Sequence, residues 1–70
     1  MNALAPDALH RCRVNTHAAL VDAEEARANL AGARQTRAAE LREQLIDAVA
    51  FCQRLAFIVE GDFRTEQAQR

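Results

Sequence analysis

Small and apolar residues recur along this chain at alternating spacings of three and four, and the pattern breaks only once, near Gly32. This spacing places side chains on one stripe of an α-helix and is typical of helices that pack side by side. Continuing the stripe through the break would place Arg34 and Arg37 on it. Because the 70 residues include only two Gly and one Pro, other helix-ending signals are scarce. The pattern therefore predicts two helices joined by a turn near Gly32.

The two stripes of this pattern differ in the size of their side chains. The first consists mainly of small residues and runs through Leu9, Cys12, Thr16, Ala19, Ala23, Ala26 and Leu30. The second is bulkier and runs through Ala38, Leu41, Leu45, Ala48, Cys52, Leu55 and Val59. Small residues let two helices approach closely but bury little area. We therefore expect helix 1 to supply contact geometry more than hydrophobic energy.

Local signals set the expected start of helix 1. Pro6 is favourable in the first turn, where its missing N–H costs nothing. Asp7 beside it complements the positive end of the helix dipole. Helix 1 is predicted at about 6–31.

Helix 2 has weaker signals at its start and a clearer one at its end. Thr36 is a candidate N-cap, which predicts a helix at about 36–60. Gly61 is well suited to the left-handed position that follows a helix. The residues beyond it, 61–70, are predicted to form a polar, frayed tail.

The predicted fold class is all-α, an antiparallel helical hairpin that forms a single domain over 1–70. A turn centred on Gly32 brings together residues whose numbers sum to about 64. Three such pairs are Cys12 with Cys52, Ala19 with Leu45, and Ala23 with Leu41. The competing hypothesis is one uninterrupted helix of about 50 residues, because Gly within a helix costs only ~1 kcal/mol. A straight helix would separate the two Cys by about 60 Å.

The apolar surface of helix 2 is too wide for one neighbouring helix to cover. Between Leu45 and Val59 only Asp47, Gln53 and Arg54 are polar, whereas one packed helix covers a stripe of roughly 100°. We therefore expect either dimerisation of two hairpins into a four-helix bundle or packing against a different protein. The predicted protein interface comprises Leu45, Val49, Phe51, Cys52, Leu55, Phe57, Ile58 and Val59, with Arg34 and Arg37 as further polar contacts.

No group of residues predicts catalysis, and we expect neither a metal nor a cofactor. His10 and His17 can share a helix face, but Cys12 lies on the apolar stripe and no standard zinc spacing completes four ligands. The sequence contains no nucleophile and base set and no glycine-rich phosphate loop. The chain is therefore predicted not to be an enzyme.

Charge and composition predict a cytoplasmic protein without nucleic-acid or membrane partners. Nine Arg balance ten acidic residues for a net charge of −1, which gives no basic excess for nucleic acid. No segment approaches the ~18 consecutive apolar residues of a membrane span. We expect no secretory signal, because Asp7 lies where the apolar run of such a signal would have to be. In the cytoplasm Cys12 and Cys52 would be reduced, and whether they ever form a disulfide stays open.

The C-terminal half carries a segment, Leu55-Ala-Phe-Ile-Val-Glu-Gly61-Asp62-Phe63-Arg64, that resembles the end of the small E co-chaperones of type III secretion needles. These close with an apolar helix and a Val-x-Gly-Asp-apolar-basic segment, and their length and helix-turn-helix plan are similar. In that family the hairpin joins a tetratricopeptide-type chaperone, and together they hold the needle subunit unpolymerised in the cytoplasm. The resemblance implies that the chaperone would bind Phe51, Leu55, Ile58 and Val59.

These observations favour a non-enzymatic protein-binding module that masks or stabilises a partner through the apolar face of helix 2. A secretion co-chaperone is the most specific version of this hypothesis. One alternative is a homodimeric helical inhibitor or regulator, of the kind encoded by phages and plasmids, that binds a host protein. Another is a bundle-type nucleic-acid binder that uses the arginines around the turn, Arg27, Arg34, Arg37 and Arg42.

Overall fold

The chain folds into two α-helices that pack against each other in opposite directions. A computed structural model describes residues 4–69 and contains α1 (Leu4–Ala28) and α2 (Gly32–Ala68), with no strand among these residues. The sulfur atoms of Cys12 and Cys52 lie 3.7 Å apart across the helix pair, as the predicted register requires. The prediction of an all-α helical hairpin is confirmed, and a single uninterrupted helix is ruled out for this chain.

The turn is short because one glycine reverses the chain direction. Residues 29–31 separate the helices, Ala31 is extended with φ −137° and ψ 159°, and Gly32 has a φ of +65°. This left-handed conformation is costly for any residue with a Cβ. The side chain of Gln35 donates a hydrogen bond of 3.2 Å to the carbonyl of Arg27 and so ties the two helices together at the turn.

The predicted start of helix 2 at Thr36 is wrong. The helix begins four residues earlier, at Gly32, and no side chain caps it. Thr36 lies within the first turns of α2, and its hydroxyl donates a hydrogen bond of 3.4 Å to the carbonyl of Gly32. A glycine in the left-handed region can redirect the chain immediately before a helix, so a separate capping residue is not required.

The predicted end of helix 2 at Gly61 is also wrong, because α2 continues through Gly61 to Ala68. The hydroxyl of Thr65 bonds to the carbonyl of Gly61 at 2.9 Å, and Glu60 pairs with Arg64 at 3.6 Å. Phe63, two residues past the glycine, is half-buried. One Gly inside a helix costs only ~1 kcal/mol, which partial burial of a Phe side chain offsets. Residues 61–68 are therefore helical and not a frayed tail.

The contact between the helices, here called the seam, keeps half of the positions of the predicted stripes and shifts most of the others by one residue. On α1 the seam follows a series of buried and half-buried residues at spacings of three and four: Pro6, Leu9, Arg13, Thr16, Leu20, Ala23 and Arg27. On α2 it follows a second such series: Gln35, Ala38, Arg42, Leu45, Val49, Cys52, Ala56, Val59, Phe63 and Glu66. Leu41 and Leu55, predicted to face α1, are 50% and 39% exposed. The rotation turns Leu20 and Val49 inward and leaves the two leucines on the outside.

The hairpin is a thin rod with very little interior. Its principal extents are 58 × 14 × 12 Å and its radius of gyration is 16.2 Å, whereas a compact domain of this length has a radius of about 11 Å. The only buried apolar residues in the described part of the chain are Ala23, Ala38, Val49 and Ala56. Three of these four are alanines, so little hydrophobic free energy comes from contacts within the chain.

The two glycines give a matched test of the turn. Gly32→Ala should lower the free energy of unfolding by about 1 kcal/mol, because a Cβ strains the left-handed backbone. Gly61→Ala should raise it by about 1 kcal/mol, because alanine favours the interior of a helix. Neither added Cβ would meet an atom within 4 Å, so the difference comes from the backbone alone. Urea unfolding of both variants measures it, and effects of the same sign would contradict the turn.

Candidate protein-binding surface

One side of α2 carries a second apolar stripe that faces away from the seam. We call it the outer stripe, and it consists of Leu41, Gln44, Ala48, Phe51, Leu55 and Ile58. Leu41, Phe51, Leu55 and Ile58 are 50%, 61%, 39% and 58% exposed, respectively. Side chains of this size are usually inside a folded protein, and a contiguous exposed group of them marks an interaction surface.

The outer stripe has the same helical periodicity as the seam. Its members follow one another at spacings of three, four, three, four and three residues. A helix face with this spacing suits the side-by-side packing of another helix. α2 therefore has two helix-packing faces, and α1 occupies only one of them.

The outer stripe borders an open groove between the two helices near the turn. Leu41 and Ala38 form part of one wall, Ala26 and Leu30 lie across from them, and Arg34 and Arg37 stand at the edge. The α1 side of this groove is shallow because α1 lines it with Ala26, whereas Leu30 belongs to the turn. A helix laid along the outer stripe would therefore also contact α1.

The structure separates the predicted interface residues into three groups. Phe51, Leu55 and Ile58 belong to the outer stripe. Phe57 is the most exposed large apolar residue at 76%, but it lies at least 100° around the helix from those three, beside Ala50 and Gln53. The remaining four lie in the seam, where Val49 is buried and the others are half-buried: Leu45, Val49, Cys52 and Val59.

Sequence reasoning left Leu41, Gln44 and Ala48 out of the predicted surface. Leu41 and Ala48 were assigned to the contact with helix 1, because they continue the stripe that contains Leu45 and Cys52. The signal that would have identified them is a second series of residues at spacings of three and four, displaced around the helix from the stripe predicted to face helix 1. Periodicity shows that both series exist but not which of them faces α1.

A cluster of charged side chains near the turn joins the two helices. The carboxylate of Glu24 on α1 pairs with Arg42 on α2 at 2.5 Å and also with Arg27, one turn further along α1. Arg42 pairs in addition with Glu43 at 3.1 Å. The hydrogen bond from Arg27, together with the positive charges of both arginines, lowers the pKa of the Glu24 carboxyl below its usual value despite some desolvation.

This cluster divides the arginines that sequence reasoning had grouped around the turn. Arg27 and Arg42 are half-buried and committed to Glu24. Arg34 and Arg37 are exposed, and Arg37 pairs only with Glu40 on its own helix at 3.2 Å. Of these four arginines, Arg34 and Arg37 are therefore the two exposed to a partner, and they lie at the N-terminal end of α2, beside the outer stripe.

The lowered pKa of Glu24 predicts a pH-dependent contribution to stability. A carboxyl whose pKa is lowered by folding stabilises the folded state above its unfolded pKa, and the contribution is lost as the pH falls through the lowered value. Glu24→Gln should therefore unfold at a lower denaturant concentration than the parent at pH 7, and the gap should begin to close below about pH 5. Urea unfolding between pH 7 and pH 3 measures it.

Glu43→Gln is the matched control for this prediction. Glu43 is 70% exposed and pairs only with Arg42 on its own helix, so its removal should change the unfolding midpoint little at any pH. A gap for Glu24→Gln that stays constant down to pH 3 would contradict the proposed link between the two helices.

The two cysteines lie opposite each other on the two helices. Cys12 is exposed, Cys52 is half-buried, and their sulfur atoms are within thiol hydrogen-bonding distance. The hydrogen bond with Cys12, together with burial, raises the pKa of the Cys52 thiol. Both cysteines are free thiols in this structure, and their arrangement permits a disulfide within one chain.

The histidines do not assemble a site with the cysteines. Arg13 donates a hydrogen bond of 3.0 Å to the ring of His10, and His17 lies beside Val14 and Gln53. Between residues 4 and 69 no three side chains of the His, Cys, Asp and Glu type converge as a metal site would require. In the same part of the chain, neither helix has the length and apolar character needed to cross a membrane.

These features define a class of protein, a rod-shaped two-helix hairpin with an alanine-rich seam and a bulky apolar stripe on one side. A comparison of the chain with protein-family models, curated proteins and solved structures finds no match. The resemblance of the C-terminal segment to the secretion co-chaperones therefore stays a prediction.

Proposed function

We propose that this chain is a non-enzymatic protein-binding module that masks or stabilises a partner protein through the outer stripe of α2. The observation that carries the proposal is the contrast between the two sides of this helix. The inward side buries Ala38, Val49 and Ala56, whereas the outward side exposes Phe51, Leu55 and Ile58. Three large hydrophobic side chains of α2 are thus available for a contact outside the hairpin.

Burial of the outer stripe would supply a free energy comparable with the stability of a small domain. Full burial of one Phe, Leu or Ile side chain is worth ~1.5–3 kcal/mol. Three or four such side chains together match the ~5 kcal/mol at the low end of the stability of a small domain. Because the seam of this hairpin buries mostly alanine, covering the outer stripe is expected to dominate the stability of the chain.

The most specific form of the proposal is a cytoplasmic co-chaperone of a secretion system. It is supported by the hairpin plan, by the Leu55 to Arg64 segment, and by the exposure of Phe51, Leu55 and Ile58. In this form the outer stripe would lie against the helices of a repeat-type chaperone. The same resemblance implies that Val59 contacts the chaperone. Val59 is half-buried in the seam, so it would stabilise the hairpin and not contact the chaperone directly.

The nucleic-acid alternative has less support from the charges. Of the four arginines around the turn, Arg27 and Arg42 are paired with Glu24. Neutralising phosphates requires cations that are not already paired. Arg34 and Arg37 alone give a small basic patch beside an apolar stripe, which suits a protein partner better.

Site-specific photo-crosslinking in the native cell tests the proposal. A photoreactive phenylalanine analogue in place of Phe51 should give an adduct with one discrete protein, and the same analogue in place of Phe57 should give little. Adding Ile58→Glu to the first variant should remove the adduct, since it charges the same stripe. Adducts of equal yield from both positions, or none from position 51, would overturn the proposal.

A further inference from the structure

The outer stripe continues into charged residues at both of its ends. Toward the turn the same spacing reaches Arg37 and then Arg34, and toward the C-terminus it reaches Asp62. The extended series is Arg34, Arg37, Leu41, Gln44, Ala48, Phe51, Leu55, Ile58 and Asp62. One face of α2 is thus basic at one end, apolar in the middle and acidic at the other end.

We propose that the occupant of this face is a second copy of the same chain, with the two α2 helices packed antiparallel into a four-helix bundle. This rests on the proposed function, because it takes the outer stripe to be a protein-binding surface. It names a second copy as the partner on that surface in place of the repeat-type chaperone. The spacings from Arg37 to Asp62 read the same in both directions, so a reversed copy matches the stripe member for member. Four contacts then repeat by two-fold symmetry: Arg37 with Asp62, Leu41 with Ile58, Gln44 with Leu55, and Ala48 with Phe51.

Charge favours this orientation over the parallel one. Antiparallel pairing places the acid of each copy, Asp62, against Arg37 of the other and within reach of Arg34. Parallel pairing would instead place the arginines of both copies together, and like charges at such positions are destabilising. Within residues 4–69 neither Arg34 nor Asp62 takes part in an ion pair, so both are available.

Side-chain size is also complementary in this register. Phe51 of each copy meets Ala48 of the other at the centre of the contact, so a large residue fills the space beside a small one. Leu41 and Ile58 meet on either side of this centre and enclose it. A contact of this kind, with aromatic residues at its middle and charges at its rim, resembles the anatomy of stable protein interfaces.

The exposed area is sufficient for such a dimer. The hairpin has an accessible surface of 5231 Å², whereas a compact monomer of 7.8 kDa has about 4,400 Å². The excess is close to the ~800 Å² that each partner contributes to a standard interface. A dimer that covered the outer stripe would bring the exposed area per chain near the value of an ordinary folded protein.

Mixed single-cysteine crosslinking tests the register. Two variants are made in a chain that carries Cys12→Ser and Cys52→Ser. The first adds Gln44→Cys. The second adds Leu55→Cys together with an affinity tag, so that the crosslinked products differ in size. Under mild oxidation the mixture should give the hetero-crosslinked dimer in at least about tenfold excess over crosslinks between like chains. Like positions lie about 16 Å apart along the axis, beyond the ~7 Å reach of a disulfide.

Two exposed positions of α2 outside the outer stripe supply the control. Glu43→Cys and Phe57→Cys in the same background should not crosslink above the level of chance collision. Sedimentation of each variant and its helix content by circular dichroism show whether it still assembles. Crosslinks between like chains, or equal yields from the control pair, would overturn the antiparallel register.

Charge reversal gives a second measurement that needs no cysteine. Asp62→Arg should weaken dimerisation by about tenfold, because it places like charges together at both ends of the interface. Adding Arg37→Glu to the same chain should restore most of the affinity. Failure of the second change to rescue the first would contradict the pairing of these two positions.

The two proposals fail in different ways. A parent chain that sediments as a monomer at about 1 mM overturns the second-copy proposal. If the photo-crosslink from position 51 then yields an adduct with a different, heavier protein, the protein-binding function stands, and only the identity of the partner on the outer stripe was wrong. If that crosslink is also absent, the outer stripe binds no protein and both proposals are overturned.

Discussion

Oxidation by glutathione disulfide is expected to join Cys12 to Cys52 within one chain and to raise the free energy of unfolding by about 4 kcal/mol. The sulfur atoms already lie 3.7 Å apart, and the two residues are 40 positions apart in sequence. Closing a loop of this length removes much of the conformational freedom of the unfolded chain. The effect is comparable with the total stability of many small domains, so it should be the largest single change available to this chain.

The reaction proceeds by two thiol–disulfide exchanges. The thiolate of exposed Cys12 attacks glutathione disulfide, forms a mixed disulfide and releases one glutathione. The thiolate of Cys52 then attacks the sulfur of Cys12 and releases the second glutathione. Because the pKa of Cys52 is raised by its hydrogen bond with Cys12 and by burial, the overall rate should increase as the pH rises above 7.

Mass spectrometry and urea unfolding measure this outcome. The oxidised chain should be lighter than the reduced chain by two hydrogen atoms, should migrate as a single chain on a non-reducing gel, and should unfold at a higher urea concentration. Cys12→Ser is the control, since its single thiol, at Cys52, cannot close a disulfide within the chain. Disulfide-linked dimers as the main product would show that the hairpin does not hold the two thiols together.

Phe51→Glu is expected to weaken association with the partner by roughly 100-fold while leaving the chain helical. Phe51 is 61% exposed in the hairpin, so most of its burial takes place on association. Losing that burial in both copies of a symmetric contact amounts to about 3 kcal/mol, and tenfold in affinity corresponds to 1.4 kcal/mol. The introduced carboxylate adds a desolvation cost to this loss.

Phe57→Glu is the matched control for this change. It replaces the same residue type on the same helix, six positions further on, at a side chain that is 76% exposed but outside the outer stripe. We expect its association to stay within about threefold of the parent. Sedimentation equilibrium and the concentration dependence of the thermal unfolding midpoint measure both variants. Equal effects of the two substitutions would show that the contact surface extends around α2.

The secondary structure and the register could be predicted from local signals. One glycine between two long periodic segments predicted the turn, and the pairing of Cys12 with Cys52 followed from the length of each arm. The ends of α2 could not be predicted in this way. Whether a helix stops at Gly61 depends on whether residues such as Phe63 find a neighbour, which is a property of the packed hairpin.

The sequence by itself determined that this chain forms two helices, that they lie antiparallel, and that the second is too apolar for the first to cover. Only the tertiary structure decided which side of α2 meets α1. The stripe predicted from sequence and the observed seam share four residues, and periodicity alone does not decide between them: Ala38, Leu45, Cys52 and Val59. Buried alanines such as Ala23 and Ala56 let the two helices approach closely on one side of α2, and Glu24 pairs with Arg42 on the same side. With this side against α1, Phe51 faces outward.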